Sequence, residues 1–201
     1  MLINMKGLMM MKNSRKNQRR VIASVLTGMF VVQQTMALSV EASTISGVQG
    51  SNGVFNYDAE VVKGNVGARR FAEYHLDAGH EANMKFAEGM TTFVNLVDSQ
   101  ININGVVNTM KGNDFYNGKA VFISPNGMVV GASGVLNVGS LQVNAVDQTL
   151  YDMNAGRVLN NPETHNTRFS VNTSAGQGNI SINGKVLAVE DVILSGAINI
   201  G

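Results

Sequence analysis

The chain has 201 residues, of which 44% are hydrophobic, 6% aromatic and 14% charged, and it contains 22 glycines but only two prolines. The low charged fraction argues against a helical protein rich in Glu, Lys and Ala, and the hydrophobic content argues against disorder. The absence of cysteine excludes disulfides, thiolate metal sites and cysteine nucleophiles.

The net charge of +1 conceals an uneven distribution of charged residues. Six of the 15 basic residues precede Glu41, which is the first acidic residue of the chain. Removal of residues 1–37 leaves nine basic against 14 acidic residues, a net charge of −5. Because this remainder offers no basic face, we expect no nucleic-acid partner.

The first 42 residues have the pattern of an export signal. The basic segment "NSRKNQRR" precedes the 12-residue apolar run "VIASVLTGMFVV", and small residues follow at Ala37 and Ala42. We predict a signal peptide with an extended basic start over residues 1–42, cleaved after Ala37 or Ala42. The alternative is an uncleaved membrane anchor, but the apolar run is shorter than the roughly 20 residues that span a bilayer.

Beyond residue 42, short runs of alternating apolar residues are interrupted by glycine and asparagine, which predicts β-strands. Two runs match at an interval of 18 residues. The matching residues are Gly178, Ile180 and Ile182 in the first run and Gly196, Ile198 and Ile200 in the second. A repeat near 20 residues is typical of a stacked solenoid, so we predict an all-β fold with parallel coils. A β-sandwich remains the alternative, because "NG" pairs also favour hairpins.

Coil corners are predicted where "NG" pairs interrupt these runs. The corner residues are Asn104, Gly105, Asn183 and Gly184. Asparagine tolerates a left-handed backbone, and its amide can hydrogen-bond the next coil. The residues predicted to alternate towards the interior are Ile101, Ile103 and Val106 around the first corner, and Val186, Val189, Val192 and Leu194 after the second.

Two more polar segments break the strand rhythm. Residues 65–90 are richer in charge and are interpreted as an early coil or a cap. Residues 146–169, which contain Pro162, are predicted to leave the solenoid as a loop, a small hairpin or a helix before stacking resumes near Ser170.

Four quoted segments together resemble a known family. They are "RRFAEYHLDAG", "TTFVNLVDSQININGVVNT", "AVFISPNGMVVGASGVLNVGSL" and "GNISINGKVLAVEDVILSGAINIG". In this order they resemble the N-terminal secretion domain of two-partner-secretion exoproteins, the filamentous haemagglutinin family, over residues 43–201. The family's Asn-Pro-Asn-Gly-Ile motif reads here as Ser124, Pro125, Asn126, Gly127 and Met128. The family's other Asn-Pro motif has no counterpart, since "FVNLVDS" lies near its place without proline.

The resemblance implies a right-handed parallel β-helix with an N-terminal cap, in a family whose domains extend further than residue 201. It also implies a secretion-directing domain of a large adhesin or haemagglutinin-like exoprotein, and not an enzyme. The implied partner is the periplasmic part of an outer-membrane β-barrel transporter, with the host-cell surface as a partner of a downstream passenger. We expect export across the inner membrane of a two-membrane bacterium, followed by secretion or surface attachment and by folding outside the cell. The turn at residues 124–128 is expected to shape the backbone, by fixing the register between the strands "AVFI" and "MVVG", rather than to contact a substrate.

Two other classes stay open: a stand-alone β-helix adhesin that binds glycan or protein, and a β-helix polysaccharide lyase or hydrolase. Such an enzyme needs converging carboxylates. The late acidic residues are instead scattered singly, at Asp98, Asp114, Asp147, Asp152 and Asp191. Glu163 and His165 lie together in the polar segment 146–169, but the sequence has no serine motif of the "GxSxG" kind to go with them. The segment "GASG" at residues 131–134 lacks that spacing.

No metal or cofactor is expected. The cluster "HLDAGHE" contains His75, Asp77, His80 and Glu81, but the two histidines are five residues apart and Gly79 disfavours a helix, so we interpret these as solvated cap residues. The aromatic residues Tyr57, Phe71, Tyr74, Phe86 and Phe93 are predicted to pack in the core and cap rather than to form a sugar platform. The glycosylation sequon at Asn172 is interpreted as coincidence.

Overall fold

The structure is a computed structural model that describes residues 42–169 and 178–201. This part of the chain is built mainly from β-strands, which lie in three sheets and are mostly parallel to their neighbours. The predicted all-β class is therefore confirmed. The predicted signal peptide, apart from Ala42, and the sequon at Asn172 lie outside the described residues.

Each sheet takes strands from the whole length of the described chain. Sheet 1 contains β1 (Thr44–Ile45), β6 (Tyr74–Leu76), β9 (Ile101–Ile103), β13 (Gly127–Val130), β16 (Asn179–Ile182) and β19 (Ala197–Ile200). Sheet 2 contains β2 (Gly50–Ser51), β3 (Val54–Asp58), β7 (Glu81–Lys85), β10 (Val106–Lys111), β14 (Val135–Val138) and β17 (Lys185–Ala188), and β11 (Asp114–Phe115) pairs with the end of β10. Sheet 3 contains β4 (Val61–Lys63), β5 (Val66–Phe71), β8 (Thr92–Val97), β12 (Lys119–Ser124), β15 (Ser140–Ala145) and β18 (Val192–Ser195).

The chain visits the sheets in a fixed order, sheet 2, then sheet 3, then sheet 1, and completes five such circuits between β3 and β19 of the described residues. A strand pairs in parallel with the strand at the same place in the next circuit. Ile180 lies opposite Ile198 and Ile182 opposite Ile200, so the 18-residue match in the sequence is the length of one circuit here. Because the strands of successive circuits pair in parallel within each sheet, the antiparallel sandwich alternative is wrong.

Short antiparallel strands close the first end of all three sheets. In this cap β1 pairs with β6, β2 with β3, and β4 with β5. The β2–β3 hairpin turns at Asn52 and Gly53, whose φ angles of 52° and 78° suit the type I′ turn that "NG" favours. The cap occupies strand edges that would otherwise offer unpaired backbone groups to other chains.

Aromatic side chains fill the interior near the cap, as the sequence predicts. The residues Tyr57, Phe71, Tyr74, Phe86 and Phe93 are all buried. Neighbouring rings in this group meet edge to face with centroids 5.3 to 6.2 Å apart, a geometry that adds to the burial energy. The Tyr57 and Tyr74 hydroxyls are 3.1 Å apart, and burial raises the pKa of both, so the pair stays neutral.

Some predicted interior residues point elsewhere. After the corner at Asn104 it is Val107, and not Val106, that is buried, because the alternation restarts at the corner. In the last circuit Val186 and Leu194 pack against the core, whereas Val189 and Val192 are exposed.

Residues 148–168, within the segment that interrupts the strand rhythm, form helices. They are α1 (Gln148–Asn160), a 3-10 turn (Pro162–Thr164) and α2 (His165–Arg168). Asp147 caps α1 by accepting a hydrogen bond from the Leu150 N–H at 3.2 Å, and Pro162 follows the helix end, where the helix cannot continue. No helix among the described residues is long and apolar enough to cross a membrane.

The helices cover the outer face of sheet 3. The buried helical residues Tyr151, Ala155 and Val158 recur every three or four positions and therefore share one helix face. With Phe169 they pack against outward side chains of the sheet, namely Val66, Ala68, Val94, Leu96, Val121 and Ile123. This second hydrophobic core explains why β8 and β12 are buried on both faces.

Candidate functional site

The turn at residues 124–128 forms the corner between β12 of sheet 3 and β13 of sheet 1. Pro125 and Asn126 occupy the turn, and Ser124 Oγ accepts a hydrogen bond from the Asn126 N–H at 3.0 Å. Gly127 has a φ of 77°, in the left-handed region that favours glycine. Asn126 has no positive φ, which a type II turn would require at this position, so the turn is not of type II.

Hydrogen bonds attach this turn to the preceding circuit. The Ser124 hydroxyl donates to the Ser99 carbonyl at 2.6 Å, and the Asn126 side-chain amide donates to the Asp98 carbonyl at 3.0 Å. In return, Gln100 Nε2 lies 3.4 Å from the Asn126 carbonyl. Ser124 and Asn126 therefore satisfy backbone groups of the corner below, in addition to shaping their own.

Glycines allow the following circuit to pack directly on the same turn. A Cβ added to Gly127 would collide with the Asn179 carbonyl. A Cβ added to Gly178 would lie 2.5 Å from the Asn126 carbonyl carbon and 2.7 Å from the Pro125 carbonyl oxygen. Real Cβ atoms do not approach other atoms so closely, so only glycine fits at either position.

One expectation about this turn is wrong. The strands that it joins, β12 and β13, lie in different sheets and do not pair, so the turn does not set a register between them. It instead holds its corner in register with the corners before and after it.

The predicted corners lie between sheet 1 and sheet 2 and also stack on one another. A Cβ on Gly105 would meet the Asp77 carbonyl oxygen at 2.5 Å, and a Cβ on Gly184 would collide with the Gly134 carbonyl. Backbone hydrogen bonds join the same corners. The N–H of the residue after each Asn-Gly pair donates to a carbonyl of the previous corner. These bonds run from Val106 to His80 and from Lys185 to Gly134, both at 2.9 Å.

The corner asparagines do not adopt the role predicted for them. Neither Asn104 nor Asn183 has a positive φ, since Asn52 is the sole non-glycine residue with one in the described chain. The Asn183 side-chain amide donates to Ser181 Oγ at 3.3 Å, within its own circuit, and not to the next circuit. These asparagines therefore do not serve as left-handed residues.

The outer face of sheet 2 carries a ladder of asparagine amides that was not predicted from the sequence. Successive side chains of Asn56, Asn83, Asn108 and Asn137 are joined by hydrogen bonds of 3.2, 3.0 and 3.2 Å. The signal was present, because each asparagine lies between two inward-facing residues, in "FNY", "ANM", "VNT" and "LNV". Intervals of 27, 25 and 29 residues between them give the lengths of the earlier circuits.

The histidines and acids of "HLDAGHE" do not form a metal site. His75 Nε2 is 2.9 Å from Asp77 Oδ1, His80 Nδ1 is 2.6 Å from Ser43 Oγ, and Glu81 accepts a hydrogen bond from the Asn108 amide at 2.9 Å. These side chains are half-buried, so the expectation of solvated residues is wrong. In the part of the chain that the structure describes, no three potential ligands converge.

The other candidate acids also lie apart. Asp98 Oδ1 accepts hydrogen bonds from Arg70 Nε and the Tyr151 hydroxyl, each at 2.8 Å, which fastens α1 to sheet 3. The rest of the set has separate places: Asp114 is exposed in β11, Asp147 caps α1, Asp152 accepts a hydrogen bond from Gln148, and Asp191 lines a cleft.

Glu163 and His165 do not form an acid–base pair. The Glu163 carboxylate lies directly over Gly64, where a Cβ would collide with it. His165 is buried, and its Nδ1 lies 2.9 Å from the Pro162 carbonyl oxygen. Burial lowers the pKa of His165, and its Nε2 has no hydrogen-bond partner.

A polar cleft of about 310 Å³ opens on the outer face of sheet 3, beside the helices. Its lining consists of Thr91, Thr92, Asn117, Lys119, Ser140, Leu141, Glu190, Asp191 and Ile193. The Ser140 hydroxyl donates to Glu190 Oε2 at 3.1 Å. Because the cleft joins residues from four circuits, no local motif in the sequence predicted it.

No protein-family model, curated protein or solved structure matches this chain. The likeness to two-partner-secretion exoproteins therefore rests on the residues quoted above. The geometry adds that residues 124–128 work through the backbone contacts of three successive circuits.

Proposed function

We propose that residues 43–201 form a right-handed parallel β-helix that directs the secretion of a large adhesin or haemagglutinin-like exoprotein. In this proposal an export signal takes the chain across the inner membrane, and the periplasmic domains of an outer-membrane β-barrel transporter recognise it. The chain then folds outside the cell. The observation that carries the proposal is the repeated path through three parallel sheets behind an antiparallel cap.

The sheet topology supports the β-helix. One strand joins each of the three sheets in every circuit, and the next circuit pairs with it in parallel. Crossovers between parallel strands are right-handed in about 98% of cases, because twisted strands pack well only in that sense. The right-handed form follows from this preference.

The cap supports folding in one direction. Antiparallel strands occupy the sheet edges at the first end, while β17, β18 and β19 leave the edges at the other end unpaired. A new circuit can therefore add only beyond β19, where it finds backbone partners in all three sheets. A chain that emerges cap first through a transporter would fold circuit by circuit, and cysteine-free threading avoids premature disulfides.

Recognition by strand addition suits an unfolded chain of short alternating strands. An extended peptide that adds to a sheet edge gains affinity from main-chain hydrogen bonds and specificity from alternate side chains. The transporter's periplasmic domains would bind such segments before the circuits close, and residues 124–128 would act afterwards, in folding.

The decisive test is an export assay in a two-membrane bacterium with and without the cognate transporter. We expect the chain in the medium only when the transporter is present, and we expect a purified periplasmic fragment of the transporter to bind the urea-unfolded chain. Release that is independent of the transporter, or no binding by the fragment, would overturn the proposal.

A matched pair of variants tests the turn. Gly127→Ala places a Cβ against Asn179, whereas Gly89→Ala alters a glycine with nearly the same φ, 76°, that has open space around it. We expect Gly127→Ala to lower the amount of folded protein in the medium far more than Gly89→Ala, with equal binding of both unfolded chains to the periplasmic fragment. Equal export of the two variants would remove the turn from the mechanism.

The polar cleft favours a second candidate function, a β-helix adhesin that binds a glycan directly. Its volume falls in the range of ligand sites, and Lys119, Glu190 and Asp191 offer charged groups beside hydroxyls and the apolar side chain of Ile193. Calorimetry of the secreted chain against a panel of oligosaccharides tests this. Binding that Asp191→Asn weakens would support the adhesin, and heats equal to buffer dilution for the whole panel would exclude it.

A further inference from the structure

The residue that follows one of the two predicted cleavage positions is bound into the cap by its side chain. Ser43 Oγ lies 2.6 Å from His80 Nδ1 and accepts a hydrogen bond from the Asp77 N–H at 2.7 Å. The next residue, Thr44, begins β1, which pairs with β6. The side chain of Ser43 thus binds the start of the described chain to the cap.

One carboxylate oxygen of Asp77, next to Ser43, accepts no hydrogen bond. Its Oδ1 bonds to His75, while its Oδ2 is buried and has no hydrogen-bond partner in the described structure. An unpaired buried carboxylate oxygen destabilises a fold, so a donor is expected there.

The register of the cap brings the backbone of Ser43 beside Asp77. Thr44 pairs with His75 in antiparallel register, so continuation by two residues places Ala42 opposite Asp77 and Ser43 beside it. The main-chain nitrogen of Ser43 makes no hydrogen bond to any described residue. An α-ammonium group at this nitrogen would bring a positive charge and three donors to Asp77.

We propose that the leader is removed after Ala42, rather than after Ala37, and that the new α-ammonium of Ser43 binds Asp77 and completes the cap. A leader peptidase adds water across the Ala42–Ser43 peptide bond, which leaves a carboxylate on Ala42 and an ammonium on Ser43. Val40 and Ala42 supply small residues at the third and first positions before the cut. The inference rests on the proposed export, and it couples completion of the cap to leader removal.

Intact-mass measurement and N-terminal sequencing of the exported chain test the position of the cut. We expect the mature protein to begin at Ser43. A protein in the medium that begins at Leu38 would overturn this inference and leave the proposed function intact. A chain that keeps residues 1–42 and stays in the cell would instead contradict the proposed export and, with it, this inference.

The ion pair has its own test, in thermal melting of the secreted chain and of Asp77→Asn, with Asp114→Asn as the control for an exposed carboxylate. An ordinary α-amino group has a pKa of about 7.7–8.0, and binding to Asp77 holds the proton to a higher pH. His75 and His80 also face these groups, so melting is followed only from pH 7.5 upward.

At pH 7.5 we expect Asp77→Asn to melt about 2–4 °C below the wild type, as a loss near 1 kcal/mol predicts for a domain of this size. The difference should shrink by pH 10, where the amine has lost its charge, and Asp114→Asn should follow the wild type throughout. A difference between Asp77→Asn and the wild type that does not change with pH would overturn the ion pair.

Discussion

The two ends of the stack of circuits differ in whether their apolar side chains are buried. At the capped end the aromatic residues are buried, and antiparallel strands cover the sheet edges. At the other end the apolar residues of the last circuit are exposed, namely Leu187, Val189, Val192, Ile193, Ile198 and Ile200.

Two isoleucines show that this difference comes from the neighbours and not from the residue type. Ile182 and Ile200 occupy the same place in successive circuits, yet Ile182 is 6% exposed and Ile200 is 67% exposed. A circuit therefore cannot bury its own interior face, and the circuit above completes it.

The largest effect is expected from truncation of the buried member of that pair. Ile182→Ala should lower the free energy of unfolding by about 2–4 kcal/mol, because it leaves a cavity between circuits. Ile200→Ala should change it by less than about 0.5 kcal/mol, as is usual for exposed positions. Urea denaturation of both variants measures the difference, and equal losses would show that the ends are energetically alike.

The second effect concerns close packing in the middle of the stack. Gly127→Ala should destabilise by about 2–4 kcal/mol, since a left-handed φ and a collision with Asn179 act together. Gly89→Ala should cost about 1–2 kcal/mol, because only the backbone strain applies. Denaturation curves with equal midpoints for the two variants would contradict the packing of one corner on the next.

The helices extend the comparison to the outer face of sheet 3. Val121, under the helices, is buried, whereas Ile193 in the same outward row of the last circuit is 45% exposed. Tyr151→Phe removes the hydroxyl that bonds to Asp98 and should cost about 1–2 kcal/mol. Hydrogen exchange should quicken in α1 before it does in the strands, and uniform exchange would show that the bond does not fasten the helix.

The smallest effect is the pH dependence of the helical cover. Burial lowers the pKa of His165 in the folded chain, so only the unfolded chain takes up this proton as the pH falls below about 6.5. Stability should therefore decline from pH 6.5 downward and level off below the folded pKa. Replacement by Gln should remove this part of the decline, which parallel melting curves between pH 7 and pH 5 would reveal.

The strands were predictable because their signals are local. Ile180 and Ile182 alternate with polar residues, and their match with Ile198 and Ile200 gave the length of the last circuit directly. The phase of alternation was not predictable across a corner. Val107 replaced Val106 inside because the two-residue corner at Asn104 and Gly105 turns the chain into another sheet.

The candidate site was predictable as a position and not as a set of contacts. Pro125, Asn126 and Gly127 form a turn by their own preferences. Their partners, Asp98 and Asn179, are distant in sequence and come together only when circuits stack. The cleft and the Asp98–Tyr151 contact arise in the same way.

The sequence by itself determined the β-strands, their repeat and the turn at residues 124–128, since these depend on side-chain alternation and on the conformations open to proline and glycine. Tertiary structure alone decided which face each strand buries, where the helices lie, and that Ser43 meets Asp77. The reason is that burial and hydrogen bonding belong to pairs of circuits, and paired strands of neighbouring circuits lie between 18 and 52 residues apart in the chain.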